Sequence, residues 1–527
     1  MTLAPYIPAW HDLRPFVADL VLIVTAIAVL IVPFFTRRAN GVVGAVTVFG
    51  LTVALLLLIA VGPADAGRFA PMLAADGVAL AWKAILLVFT IGVVLLWFAT
   101  TRTDMRQGDG PEFFLLLICA TFGMSLMGSA ANLLMLFIAV EMASLPSYVL
   151  AGFRKANRVG AEAALKYVLF GAAASAVMVW GLSLLYGVCG TLNLYSRVAA
   201  DGGHVAGVAE QVFRQGATSP LVLIGLLALT VGLAFKISAA PFHLWCPDVF
   251  EGAAVDVTTF LSVASKGAGL VLTLRIAVAL AEAANFTPTT PVVTLAGVFG
   301  VMGVLTCTIG NTAAYVQTNL KRLLAYSSIA HAGYMLCVVA LIIVGPGHVQ
   351  ATSLGSTASA ALLFYLAVYL FMNLGAFTVV AVVGRQAGES IEHFSGLGRR
   401  SPLLAACMTL CCFSLIGVPP LAGFTAKFNL MQVLGANGGW WWALVAAIAI
   451  NTLLSIYYYV RIIRVMYLED AGAPQLYVNR LGTGLAAAST VMLLVLFVGS
   501  NLLSRWTDRY SAFRPSTVAP NQLVAER

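Results

Sequence analysis

Four ionisable residues stand inside long apolar runs: Glu141 in LLMLFIAVEMASLPSYVL, Lys236 in LALTVGLAFKISAAPFHLW, Lys266 in VTTFLSVASKGAGLVLTL and Lys427 in CCFSLIGVPPLAGFTAKFNLM. A charge at the centre of a bilayer costs about 2.5–3.5 kcal/mol on insertion scales, so such residues mark candidate ion or proton pathways. A carboxylate and three amines suit proton transfer, since each can hold a proton and pass it to a group within hydrogen-bond reach. If Glu141 and Lys236 meet at ~4 Å in an effective dielectric of about 20, they attract by about 4 kcal/mol. Making or breaking that contact can switch Lys236 and, through like-charge repulsion, Lys266. Moving one charge against ~100 mV costs about 2.3 kcal/mol, which such a swing covers.

Weaker candidates surround these four. His331 in YSSIAHAGYMLCV and His243, just after Pro241, are either proton relays near neutral pH or hydrogen-bonded core histidines. Glu162 and Lys166 are four apart at the start of a helix and share a face, and are either a structural ion pair or a secondary proton-transfer pair. Lys83 and Arg275 lie nearer their helix ends, where snorkelling to the interface explains them. Asn311 and Lys321 flank a short polar loop and read as interface residues.

The elements that must hold these groups are membrane helices. The 527 residues are 61% hydrophobic and 9% charged, with a mean hydropathy of +0.96. Soluble domains are roughly 45–50% apolar and ~25% charged, so a soluble globule is excluded. A bilayer needs about 20 apolar residues per helix, and runs of that kind recur fourteen times between Phe16 and Leu503. The expected fold is therefore an all-α polytopic membrane protein. Pro241 breaks the seventh span beside Lys236, and Pro419, Pro420 and Gly423 break the twelfth shortly before Lys427. Broken helices are tolerated at membrane depth only where the freed backbone faces protein or water. Spans seven and twelve are an odd number apart, so they enter the membrane from opposite sides, as in inverted repeats. The expected organisation is a three-helix segment at 1–110, a first repeat (spans four to eight) at 111–285, a second (spans nine to thirteen) at 286–470, and a last helix with its tail at 471–527.

Most lysines and arginines, among them Arg37, Arg102, Lys155, Arg322 and Arg399, fall in odd-numbered loops. The positive-inside rule places those loops in the cytoplasm and both termini on the other side. The seventh loop is the exception, with only Asp248, Glu251 and Asp256. The net charge of +8 is thus explained by membrane orientation, and no nucleic-acid partner is expected. The N-terminal stretch lacks a signal-peptide pattern, so the first span is expected to be retained. Eight cysteines, mostly in apolar runs and without a CxxC pair, read as packing residues, and no metal site is expected. No Gly-rich dinucleotide or phosphate loop and no HExxH is present. Such a chain is driven either by a partner subunit or by an ion gradient.

Five segments carry a family resemblance: EAALKY (Glu162 to Tyr167), FKISAAPFHLWCPDVFEGA (Phe235 to Ala253), LSVASKGAG (Leu261 to Gly269), NLKRLLAYSSIAHAGY (Asn319 to Tyr334) and GVPPLAGFTAKF (Gly417 to Phe428). Across roughly Pro111 to Met466 the chain resembles the antiporter-like subunits of respiratory complex I, the NADH-quinone oxidoreductase, and among them the subunit N type. Lysine at 427 sets it apart from subunit M, which carries glutamate there; an ending about two dozen residues past the fourteenth span sets it apart from subunit L, with its long lateral helix. The resemblance implies a fourteen-helix fold with two inverted five-helix repeats in a membrane arm. It also implies that Glu141 and Lys236 form the carboxylate–lysine pair, that Lys266 is the central lysine, and that Lys427 is the lysine of the broken twelfth helix. By the same resemblance, flavin, iron-sulfur clusters and quinone belong to partner subunits, with none on this chain. Sister antiporter-like subunits are the expected neighbours, in a bacterial plasma membrane. The competing expectations are an Mrp-type cation/proton antiporter subunit and a non-conducting structural subunit.

Overall fold

The structure is a computed structural model that describes residues 10–36, 39–64, 69, 71–100, 109–154, 157–198, 203–214, 219–283, 290–344, 351–469, 476 and 479–511. Arg37, Arg102 and Lys155 of the charge argument lie outside the described residues. Among those described, thirteen helices are long and apolar enough to cross a membrane. They are α1 (Arg14–Phe34), α2 (Asn40–Val61), α3 (Gly77–Thr100), α4 (Asp109–Ser129), α5 (Leu133–Ala151), α6 (Arg158–Cys189), α7 (Pro220–Ile237), α8 (Val255–Ala281), α9 (Thr290–Ala314), α10 (Leu320–Val344), α11 (Leu354–Ala387), α13 (Trp441–Leu468) and α14 (Arg480–Val498). Between α11 and α13 lies the shorter apolar α12, Pro402–Ile416, which resumes after a break as Ala422–Gly435. The fold is therefore all-α and polytopic, with one short antiparallel pair, Arg197–Val198 with His204–Val205, in the loop after α6.

Local chemistry sets several helix ends. Asn132, Asn157 and Asn479 each accept a hydrogen bond from the backbone two residues on, capping α5, α6 and α14. Gly190, left-handed at φ +66°, closes α6. α8, α10 and α11 are almost wholly buried, whereas α6 turns Leu165, Leu169 and Trp180 outward and α13 turns Leu453 and Tyr457. In lipid no hydrophobic force drives helices together, and small residues permit close approach. At the α9–α10 contact a Cβ on Gly310 would lie 2.6 Å from the Ala330 nitrogen.

Both breaks rearrange the backbone. α7 ends at Ile237 with Ser238 left-handed (φ +64°), and the chain resumes as the short helix Trp245–Gly252. Backbone groups freed by the break find side chains: the Ala240 nitrogen donates to Thr306 Oγ1 at 2.9 Å, and the Phe235 carbonyl accepts from the Trp245 indole Nε1 at 3.1 Å. α12 ends at Gly417 (φ +89°), where a β-carbon would crowd the Lys427 side chain. Ala240–Pro241 and Pro419–Pro420 are cis. α8 carries a one-turn π-helix, Leu261–Ser265, ending immediately before Lys266; such bulges concentrate at functional positions.

Four side chains correct the sequence reading. Lys83 does not snorkel: it is buried and paired with Asp19 of α1 at 2.5 Å, and Ser125 of α4 donates to the other Asp19 oxygen. Arg275 is wholly buried, bidentate to Asp76 at 2.7 and 2.9 Å, and donates also to the Gly128 carbonyl. Asn311 is not an interface residue: its amide joins Tyr334, Asn451 and Tyr458 inside the α9, α10 and α13 contact. Lys321 is buried between Glu389 and the Ala253 carbonyl. In each case a partner distant in sequence lets the polar group stay inside.

Candidate functional site

Glu141 sits mid-helix on α5, half-buried, and accepts a hydrogen bond from Ser175 of α6 at 2.5 Å. Lys236 occupies the last turn of α7, where the helix dipole favours a cation. It is 1% exposed, and its Nζ donates to Ser144 Oγ at 3.1 Å. Ser144 lies three residues from Glu141, so the two share a face of α5. The structure thus brings lysine and carboxylate into one electrostatic neighbourhood with a serine holding the amine, and they form no direct ion pair in this arrangement.

Lys266, also 1% exposed, follows the π turn. Its Nζ donates to Cys246 Sγ at 3.2 Å and lies 4.6 Å from the Phe250 ring centre and 6.0 Å from that of Trp245. The aromatic faces stabilise a desolvated cation. Lys427 reaches back across the α12 break and donates to the carbonyls of Leu415 and Ile416, both at 2.9 Å. These are orphan acceptors at the end of α12, so one side chain satisfies the cut helix and is fixed by it. The Tyr334 ring lies 4.8 Å from the same amine.

His331 is buried on α10, its Nδ1 2.7 Å from the Tyr365 hydroxyl and its ring stacked 5.2 Å from Tyr369. His243 lies buried in the α7 break, and its Nδ1 has no partner in the protein. Glu162 and Lys166 pair at 2.8 Å, on a more exposed face, and Lys166 also holds Asp248 at 2.9 Å. Asp248 and Glu251 in turn bind Arg322 of α10 at 2.6 and 2.7 Å. Asp248 and Glu251 of the seventh loop are therefore neutralised by α6 and α10, which accounts for their departure from the charge rule.

Two classes of buried cation emerge. Lys83, Arg275 and Lys321 each hold a carboxylate and are locked as ion pairs. Lys236, Lys266 and Lys427 are held by a hydroxyl, a thiol and main-chain carbonyls, with no carboxylate in contact among the described residues. A neutral acceptor leaves the amine free to give up or regain its proton. The sequence singled out the lysines but missed Ser144, Ser175, Cys246, Tyr365 and Tyr369. Ser144, a turn from Glu141, was the one partner that helical spacing alone could have suggested.

The family described as NADH:quinone oxidoreductase/Mrp antiporter, TM, matches residues 130–455. The NADH-quinone oxidoreductase subunit N of Anaeromyxobacter sp. (strain Fw109-5) is 39% identical over 493 residues, covering 90% of this chain and 91% of that relative. Among solved structures, a chain of respiratory complex I from Thermus thermophilus with bound aureothin superposes with a TM-score of 0.73 at 30% identity, covering 93% of this chain and 98% of that one. A chain of the Mrp complex from Dietzia sp. DQ12-45-1b shares the fold, with a TM-score of 0.76 at 19% identity over 96% of this chain and 97% of that one.

Proposed function

The chain belongs to the NADH-quinone oxidoreductase subunit N family, and on that premise we propose that it is a membrane-arm subunit of complex I that carries protons across the membrane while other subunits oxidise NADH and reduce quinone. The observation that carries this reading is the trio of buried lysines without carboxylate partners, two of them beside broken helices. Protons pass along Glu141, Lys236, Lys266, His331 and Lys427. In one half of the cycle the Lys236 amine rests on Ser144; in the other it moves one turn along α5 to Glu141. At ~4 Å and an effective dielectric of about 20 that ion pair is worth about 4 kcal/mol, enough to change which lysine holds the proton.

Residues 111–285 and 286–470 act as two inverted units, each contributing one broken helix, with 1–110 and 471–527 flanking them. His243 serves as a relay at the α7 break, while Glu162 and Lys166 belong to the ionic network beside it. The chain sits in the bacterial plasma membrane with odd-numbered loops in the cytoplasm and both termini on the other side, and sister subunits cover its apolar faces. It carries no redox group; flavin, iron-sulfur clusters and quinone belong to its partners. A cation exchanger is disfavoured because exchange calls for several available membrane acids, whereas Asp19 and Asp76 are held by Lys83 and Arg275, which leaves Glu141 almost alone.

The test is Lys427→Ala in the assembled complex, with NADH-driven proton uptake followed in inverted membrane vesicles. Pumping per assembled complex is expected to fall by about tenfold or more. Parental pumping at parental turnover would remove the second half of the chain from the path.

A further inference from the structure

Seven tyrosines are buried among the described residues. Four have bonded hydroxyls: Tyr334 and Tyr458 to Asn311, Tyr365 to His331 and Tyr459 to Ser327. The other three, Tyr148, Tyr167 and Tyr369, have hydroxyls that make no direct hydrogen bond of ordinary geometry, each with a serine in its neighbourhood: Ser144, Ser265 and Ser328. Those three lie between the lysines. Tyr148 is one turn from Ser144, which holds Lys236, and its ring meets Tyr167 edge-on at 4.6 Å. Tyr167 stacks at 4.2 Å on Trp245, the indole facing Lys266, and its hydroxyl neighbours that of Ser265, which also makes no direct hydrogen bond of ordinary geometry. Tyr369 lies within electrostatic range of Cys246, the acceptor of Lys266, and stacks on His331.

A buried hydroxyl without a partner is costly, and phenylalanine would give the same ring packing without that cost. Water bridges such groups and their serine neighbours in polar interior sites where several converge. We infer that Tyr148, Tyr167, Ser265 and Tyr369 are proton-relay groups whose hydroxyls anchor water-mediated hydrogen bonds from Lys236 to Lys266 and on to His331. The inference rests on the proton path proposed above and names the groups that bridge its amines. Each hydroxyl accepts a proton on one side as it releases its own on the other, so a proton passes with no net change in the relay.

The experiment compares Tyr167→Phe, Tyr148→Phe and their double variant with Lys266→Met in the assembled complex, in inverted vesicles driven by NADH, in H2O and D2O. Tyr167→Phe is expected to lower the pumping rate by about tenfold and raise its H2O/D2O ratio, with assembly unchanged. Interrupting one chain twice costs little more than once, so the double variant is expected to match the worse single. Tyr369→Phe carries the same expectation, which keeps the test decisive if one variant fails to assemble. Parental rates and isotope ratios in all the tyrosine variants, with Lys266→Met inactive in pumping, would overturn the relay alone. Parental pumping in Lys266→Met would overturn the proposed path and the relay with it.

Discussion

Lys266→Met is expected to abolish NADH-driven proton pumping while the subunit still folds and assembles. Methionine retains the length of the aliphatic stem between Phe250 and Trp245, so the packing loss is small. Among the described residues, the hydrogen bond lost is the one to Cys246 Sγ, a weak acceptor, and no carboxylate partner is left stranded. What disappears is the buried amine placed between Lys236 on α7 and His331 on α10. Dye-quench pumping assays, paired with native-gel quantification of the complex, check both halves of this expectation. Failure of the variant to assemble would make Lys266 a structural residue.

Arg275→Ala is expected to do the opposite, with assembly lost before any defect in transfer can be seen. Arg275 is fully buried and spends its guanidinium on both Asp76 oxygens and the Gly128 carbonyl. Removing it strands a buried carboxylate and an orphan carbonyl, and breaking such a pair costs about 3–5 kcal/mol. A domain has only ~5–15 kcal/mol in hand, so that loss is severe. The arginine also bolts α8 to the start of α3, joining the lysine-bearing helices to the first three spans. Arg275→Lys keeps the charge but not the planar two-point contact, and is expected to assemble with reduced thermal stability. Thermal unfolding of the purified complex measures both; a parental melting temperature in Arg275→Ala would show that the pair is dispensable.

These two buried cations explain what the sequence could and could not disclose. Spans and breaks were legible because bilayer thickness demands long apolar runs and because proline cannot continue a helix. The lysines were legible because charge is rare at that depth. Their partners were mostly not: Ser144 is within a turn of Glu141 on one helix, but a cysteine and two main-chain carbonyls carry no signal in a single chain. Lys83 and Arg275 looked like interface residues because their counter-charges lie 64 and 199 residues away. Only tertiary packing brings Asp19 and Asp76 to them. The π turn before Lys266 and the left-handed Ser238 are likewise products of packing, not of local propensity.

Protons are expected to pass through this chain itself. The most direct measurement is the number of protons translocated per NADH oxidised by the Glu141→Gln complex in sealed vesicles. Glutamine can still accept the Ser175 hydrogen bond but cannot form the ion pair with Lys236. Fewer protons per NADH than in the parent are expected, at matched complex content. A parental ratio at parental turnover would contradict that expectation.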